Sequence, residues 1–182
     1  MPNKFGEQQG FDVSHFSKSP IIQQKLILEC VLHSGNWSAF EPVNQLISLI
    51  AKAFNKTRLE TLAIRSKIVV VFSDDQLVRT LNRNFRKIDK STNVLSFPLA
   101  NKVTDVDNTY QIGDIILACE TIIKESTALK LEPRCHLAHL VVHGILHLLG
   151  YNHEEDLAAD RMEHLEIEIL GSLGVSDPYR IQ

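Results

Sequence analysis

The sequence predicts one domain of mixed helix and strand, and three observations predict it. The chain has 182 residues, 44% hydrophobic and 23% charged, enough for a single core and too few for two full domains. Short apolar runs of strand length recur four times, at "QKLILECVLH", "KIVVVFS", "TNVLSFPL" and "QIGDIILA". Elsewhere apolar residues recur at helical spacing, including one long segment that is apolar nearly all round.

Residues 1–20 are polar and patternless and are expected to form a flexible N-terminal extension, the domain itself occupying 21–182. "QKLILECVLH" is the first expected strand, followed by a loop around Gly35 and Trp37. From Pro42, near a first turn, Val43, Leu46, Ile47, Ile50, Ala51 and Phe54 mark a helix that ends near Lys56. "KIVVVFS" is β-branched and short, hence a buried strand. Ser73 or Asp74 can then cap a helix carrying Leu77, Leu81 and Phe85. "TNVLSFPL" and "QIGDIILA" complete four strands, and the polar, aspartate-containing stretch between them reads as a variable loop. Beyond Cys119 the chain turns helical again. Pro133 opens the next helix, Arg134 to about Leu149, whose uniformly apolar surface belongs inside the protein. A last helix, about Glu155 to Leu173, aligns Ala158, Met162, Leu165, Ile169 and Leu173 on one stripe with mostly acidic residues elsewhere.

The formal charge of −3 argues against a blanket nucleic-acid coat, so any RNA contact must be local. Cys30, Cys119 and Cys135 form no metal-type spacing and are expected as free, buried thiols in a reducing, cytoplasmic setting. The N-terminus lacks an apolar stretch of signal-peptide length, and no run approaches the roughly 18 apolar residues that span a bilayer, so neither export nor a membrane partner is expected.

The chemistry concentrates in "HGILHLLGYNH", His143 to His153. On a helix His143 and His147 are offset by about 40° around the axis and about 6 Å along it, so both rings can face one ion. Gly150 stands where a left-handed residue ends a helix and reverses the chain, which can return His153 to the same ion. His139 lies about 12 Å along the helix from His147, too far to share a metal with it. It is better read as a supporting or core residue, and His136 as surface or polar network. Three histidines leave a fourth position open to water, and one zinc ion per chain is expected, nickel, copper or iron being other metals that imidazole suits. The alternative, buried histidines that only satisfy hydrogen bonds, fits one histidine better than three around a glycine stop.

Zinc peptidases with this spacing carry a glutamate after the first ligand to take a proton from water, and here that position is Gly144. Glu154, Glu155 or Asp156 could substitute but fit better as the charged start of the last helix. A second feature is "RTLNRNFRKIDKST", with Arg79, Arg83, Arg86, Lys87 and Lys90 against one acid, Asp89. Phe85 lies within it. The plain reading is a solvated helix face with one aromatic in the core. Beside an open cation site, arginine forks also suit phosphate oxygens, and metal with arginine suggests phosphodiester chemistry.

"LNRNFRKIDKSTNVLSFP", "GDIILA", "HLVVHGILHLLGYNH" and the trailing "DPY" resemble the YbeY family of bacterial endoribonucleases and rRNA maturation factors, over the chain from about Gln24 to the end. Asn93 and Asn152 stand where aspartate is usual. The resemblance implies an α+β fold, with a small mixed sheet of about four strands packed against helices and a zincin-like metal helix. It implies a single-strand-specific, metal-dependent endoribonuclease that matures the 3′ end of small-subunit rRNA and acts in ribosome quality control. Its partners would be the single-stranded rRNA precursor, the small ribosomal subunit and assembly factors, with no DNA. Arg86 matches the family's functional arginine, and His143, His147 and His153 match its metal ligands. Arg83, Lys87 and Lys90 are RNA-binding candidates that would add attraction to the backbone without reading sequence. Water is favoured over the RNA's own 2′-hydroxyl as nucleophile. The competing readings are a metallohydrolase of peptides or small molecules, and a non-catalytic ribosome assembly factor whose metal is structural; three converging ligands rather than four favour an active site.

Overall fold

The computed structural model describes residues 25–57, 59, 65–104, 109–153 and 155–180, without the side chains of 100–104. The extension expected over residues 1–20 lies outside the described residues, as does Glu154. Four strands, β1 (Lys25–Leu32), β2 (Arg65–Ser73), β3 (Val94–Thr104) and β4 (Tyr110–Ala118), form one sheet in the order β1-β2-β4-β3. β2 pairs in parallel with β1 and β4, and β3 runs antiparallel on the edge beside β4. The sheet is therefore small and mixed, and five helices accompany it: α1 (Val43–Lys56), α2 (Asp75–Leu81), α3 (Cys119–Leu129), α4 (Pro133–Leu148) and α5 (Asp156–Ser172). None of the described helices is long and apolar enough to cross a membrane.

Side chains alternate across the pleat, which gives the sheet two apolar faces. Ile68, Val70 and Phe72 of β2 and Ile115 and Leu117 of β4 join the main core with α1, α4 and α5. Ile116 and Ala118 of β4 and Leu95 of β3 face the other way, under Val78 of α2. α4 packs against β3, β4, α1, α3 and α5. That enclosure is why it is apolar nearly all round; each fully buried aliphatic side chain contributes roughly 1.5–3 kcal/mol.

Several local readings change. β3 runs on to Thr104, with Val103 and Thr104 paired to Gln111 and Tyr110 across a register shift, so part of the expected loop is strand. Asp74 rather than Ser73 caps α2, its carboxylate accepting from Leu77 N at 2.9 Å. α2 stops at Leu81 and continues as one π-helical turn, Asn82–Arg86, closed by Lys87 at φ 64°. Asn82 is the cause: it is buried and donates from Nδ2 to the Lys90 carbonyl at 2.8 Å, drawing the chain back. The turn carries Phe85 out of the core, leaving it 67% exposed. Of the three free thiols only Cys119 is buried; Cys30 and Cys135 are half-buried, because they sit on an edge strand and in a first helical turn. Burial pushes the Cys119 thiol up to about 11, with Glu120 adding to the effect.

α4 reaches the sheet through two glycines. A Cβ on Gly113 of β4 would stand 2.6 Å from Leu148 Cδ2, and one on Gly144 would stand 3.0 Å from Ser96 Oγ and 3.1 Å from Ile115 Cδ1. Position 144 therefore faces β3 and β4 in contact distance. We predict that Gly144→Glu, which restores the peptidase pattern, lowers stability by about 3 kcal/mol through overpacking and a buried carboxylate. The readout is the urea midpoint, and an unchanged midpoint would mean that α4 has room at this face.

Candidate metal centre

His143 and His147 occupy the last two turns of α4, and their Nε2 atoms face each other at 2.9 Å. Their other ring nitrogens are both engaged. His143 Nδ1 donates to Glu166 Oε1 at 2.8 Å, and His147 Nδ1 donates to the Tyr151 carbonyl at 3.1 Å. A carbonyl only accepts, so the proton of neutral His147 sits on Nδ1; the Glu166 carboxylate selects the same tautomer for His143. Two bare lone pairs are left pointing at one another, an arrangement that a cation between them satisfies. Burial lowers the His147 pKa, and neighbouring His143 adds to this, which favours the neutral, ligating ring.

The helix ends as its glycine requires. Gly150 has φ 93°, its N–H donates to the His147 carbonyl at 3.0 Å, and Tyr151 N–H reaches back to the Leu146 carbonyl at 3.0 Å, which is a Schellman stop. The reversal brings exposed His153 beside the pair, its ring 5.7 Å from that of His143 and 5.1 Å from that of His147. One nitrogen from each of the three lies within 4.8 Å of the others. Around a tetrahedral zinc, nitrogens at about 2.0 Å from the metal stand about 3.3 Å apart, so the donor set fits a transition metal with shifts of a few tenths of an ångström for the closest pair and more for His153.

Glu166 of α5 holds this arrangement from behind. It has no solvent exposure, and its oxygens accept from His143, from His139 Nε2 at 3.0 Å and from the Tyr179 hydroxyl. Burial acts to raise its pKa, but the hydrogen bonds from His139, His143 and Tyr179 prevail and hold it at about 2. Tyr179 is correspondingly pushed up, first by burial and then by Glu166. His139, His143 and Glu166 also form a possible metal group, but both carboxylate oxygens already accept hydrogen bonds, so the trio acts here as a hydrogen-bond hub. His139 is thus a supporting residue and His136 part of a polar network: buried His136 meets Glu125 Oε2 at 2.8 Å, and Asn93 Nδ2 donates to the same oxygen at 2.9 Å. An aspartate at position 93 could not make that donation.

Beside the histidines lies a recess of about 380 Å³ lined by Asn93, His139, His143, His153, Glu163 and Tyr179 among others. A second recess, about 660 Å³, is lined by Arg86, Lys90, Thr92, Lys124 and Glu125 among others. Consecutive residues Thr92 and Asn93 connect the two linings. Of the basic residues, Arg86 and Lys90 line the second recess together; exposed Arg83 and Lys87 lie outside both linings, and Lys87 Nζ donates to the Asn84 carbonyl. Arg79 is tied to Asp89 by two bonds of 2.7 and 2.9 Å. Asp156 begins α5 and Glu155 precedes it, both exposed. Sequence reasoning missed Glu166 and Glu125, and it named Asn93 and the segment of Tyr179 without giving either a role. Glu166 carried a signal: it shares the helical face of Met162, Ile169 and Leu170, and an acid on an apolar stripe needs a buried partner.

The family model described as Endoribonuclease YbeY matches residues 36–174. A protein named Endoribonuclease YbeY from Bradyrhizobium sp. is 50% identical over 165 residues, covering 89% of this chain and 95% of its own. One of the same name from Azorhizobium caulinodans is 38% identical over 154 residues, covering 85% and 96% respectively.

Two substitutions probe the centre. Glu166→Gln keeps the shape of the hub but removes its charge, and should weaken zinc binding about 10- to 100-fold in a chelator competition. Equal affinity would show that the His143 ring is oriented without it. A Cβ at Gly150 would meet no atom within 4 Å, so the cost of Gly150→Val comes chiefly from the positive φ, about 1–2 kcal/mol or more for a β-branched residue. Wild-type stability and metal content in that variant would mean that His153 arrives by another backbone route.

Proposed function

The chain belongs to the Endoribonuclease YbeY family, and we propose that it is a metal-dependent endoribonuclease that cuts single-stranded precursor rRNA of the small ribosomal subunit. Maturation of the rRNA 3′ end and ribosome quality control in the cytoplasm, with the subunit and its assembly factors as partners, complete the reading. The observation that carries it is the pair of facing imidazole lone pairs, with His153 alongside, next to a recess that contains Arg86. His143, His147 and His153 would hold the metal, zinc being one of the transition metals that an all-imidazole set suits. When bound there, such a metal supplies Lewis acidity and a water pKa lowered toward about 7.

The remaining work falls to the chain's own groups. Glu166 and the Tyr151 carbonyl hold the two imidazoles in one tautomer, so each Nε2 is available without reorganisation. Arg86 is exposed in its recess and is not among the described residues that form ion pairs, which leaves its planar fork for two phosphate oxygens. Clamping the scissile phosphate there neutralises charge that grows during displacement. Lys90 in the same lining, with Arg83 and Lys87 outside it, adds attraction for the RNA backbone. Gly144 offers no base, and a side chain there would crowd Ser96 and Ile115. Water is the nucleophile of this reading; among the described residues the acids of the lining are Glu163 and Glu166, and Glu166 is held by His139, His143 and Tyr179.

Cleavage of a labelled single-stranded rRNA precursor by highly purified protein tests the proposal. Arg86→Ala should lower the rate about 100-fold or more, the scale of losing one charge-stabilising donor. Arg86→Lys should fall between the two, because it keeps the charge and loses the fork. Equal cutting by wild type and Arg86→Ala would assign the activity to a contaminating nuclease and overturn the assignment.

A further inference from the structure

Phe85 is 67% exposed, although its ring contacts Phe97 of β3 at a centroid distance of 5.2 Å and an interplanar angle of 62°. A phenylalanine is ordinarily a core residue, and this one is held outside by design of the local backbone. The π-helical turn that carries it is anchored by buried Asn82, whose Nδ2 bonds the Lys90 carbonyl and whose own carbonyl accepts from Ile88 N at 3.3 Å. The ring is therefore presented from a fixed turn rather than a loose loop. Its neighbourhood is cationic: Arg83 and Arg86 flank it in the same turn, Lys87 follows, and the one acid of the segment, Asp89, is occupied by Arg79.

From an exposed aromatic face supported on one side and guanidinium groups two residues before and one after, we propose that Phe85 is a stacking platform for a nucleobase of single-stranded RNA, with the adjoining phosphates taken by Arg83 and Arg86. Aromatic faces accept any base, which matches a strand-selective and sequence-tolerant contact, and duplex RNA keeps its bases out of reach. The inference rests on the endoribonuclease reading and adds to it the element that distinguishes single strands from duplexes.

The test measures binding of a short labelled single-stranded RNA to the metal-loaded full chain by fluorescence anisotropy. Phe85→Leu keeps an apolar group against Phe97 and removes the π face; it should weaken binding about tenfold. Phe85→Trp should bind as wild type does. The salt dependence should have the same slope in all three, because no phosphate contact is removed. On a matched strand lacking bases, wild type and Phe85→Leu should bind equally. Wild-type affinity in Phe85→Leu, or a difference that persists on the abasic strand, overturns the proposal and leaves the exposed ring to a protein partner. If wild type binds and cleaves while Phe85→Leu is unaltered, only this inference fails; if wild type neither binds nor cleaves, the endoribonuclease reading fails with it.

Discussion

Glu166 is an ionised carboxylate with no exposure to solvent, and it can remain so only while donors surround it. Those donors come from two turns of α4, through His139 and His143, and from the chain beyond α5, through Tyr179. One buried charge therefore binds three segments into a single arrangement. Losing any donor leaves part of the carboxylate uncompensated, so α4, α5 and the C-terminal stretch are held in mutual register. The same charge chooses the tautomer of His143 and so decides which nitrogen faces His147. Stability and chemistry share that interaction.

The second constraint is distance. α4 is enclosed on all sides, and it comes close to the sheet because Gly113 and Gly144 present no side chain where helix and strands meet. Proximity to β3 brings the first residue of that strand, Val94, and Asn93 just before it into the lining beside the histidines. A Cβ at 144 would press on the side chains of Ser96 and Ile115, which would have to give by a few tenths of an ångström. The glycine thus suits a close packing contact, and by the same stroke it leaves the position after His143 without a carboxylate.

Charge is sorted along the segment leading into β3. Arg79 is neutralised by Asp89, while Arg86 and Lys90 face a recess whose lining continues through Thr92 and Asn93 to the histidines. A chain of net charge −3 thereby gathers Arg86, Lys90 and Lys124 at one recess, alongside Asp75 and Glu125. Asn93 and His136, both bonded to Glu125, brace the junction of the two recesses. An anionic strand can meet arginine on one side of the junction and imidazoles on the other.

What the amino-acid sequence determined by itself is what depends on neighbours within a few residues. The four-residue spacing of His143 and His147 puts them on one helical face, the absence of a Cβ at Gly150 permits the left-handed stop, and the β-branched runs become strands because pleat and periodicity are local properties. Tertiary structure decided whatever depends on a partner distant in the chain. Glu166 is 23 residues from His143 and became the centre's support only when α5 packed on α4. Phe85 continued a helical pattern with Leu77 and Leu81, yet Asn82's bond to the Lys90 carbonyl turned it outward. β3 extended past its apolar run because β4 offered unpaired backbone groups to Val103 and Thr104. Burial of an acid, exposure of an aromatic and the length of an edge strand are each settled by the free energy of satisfying polar groups across the fold, and no local pattern contains that information.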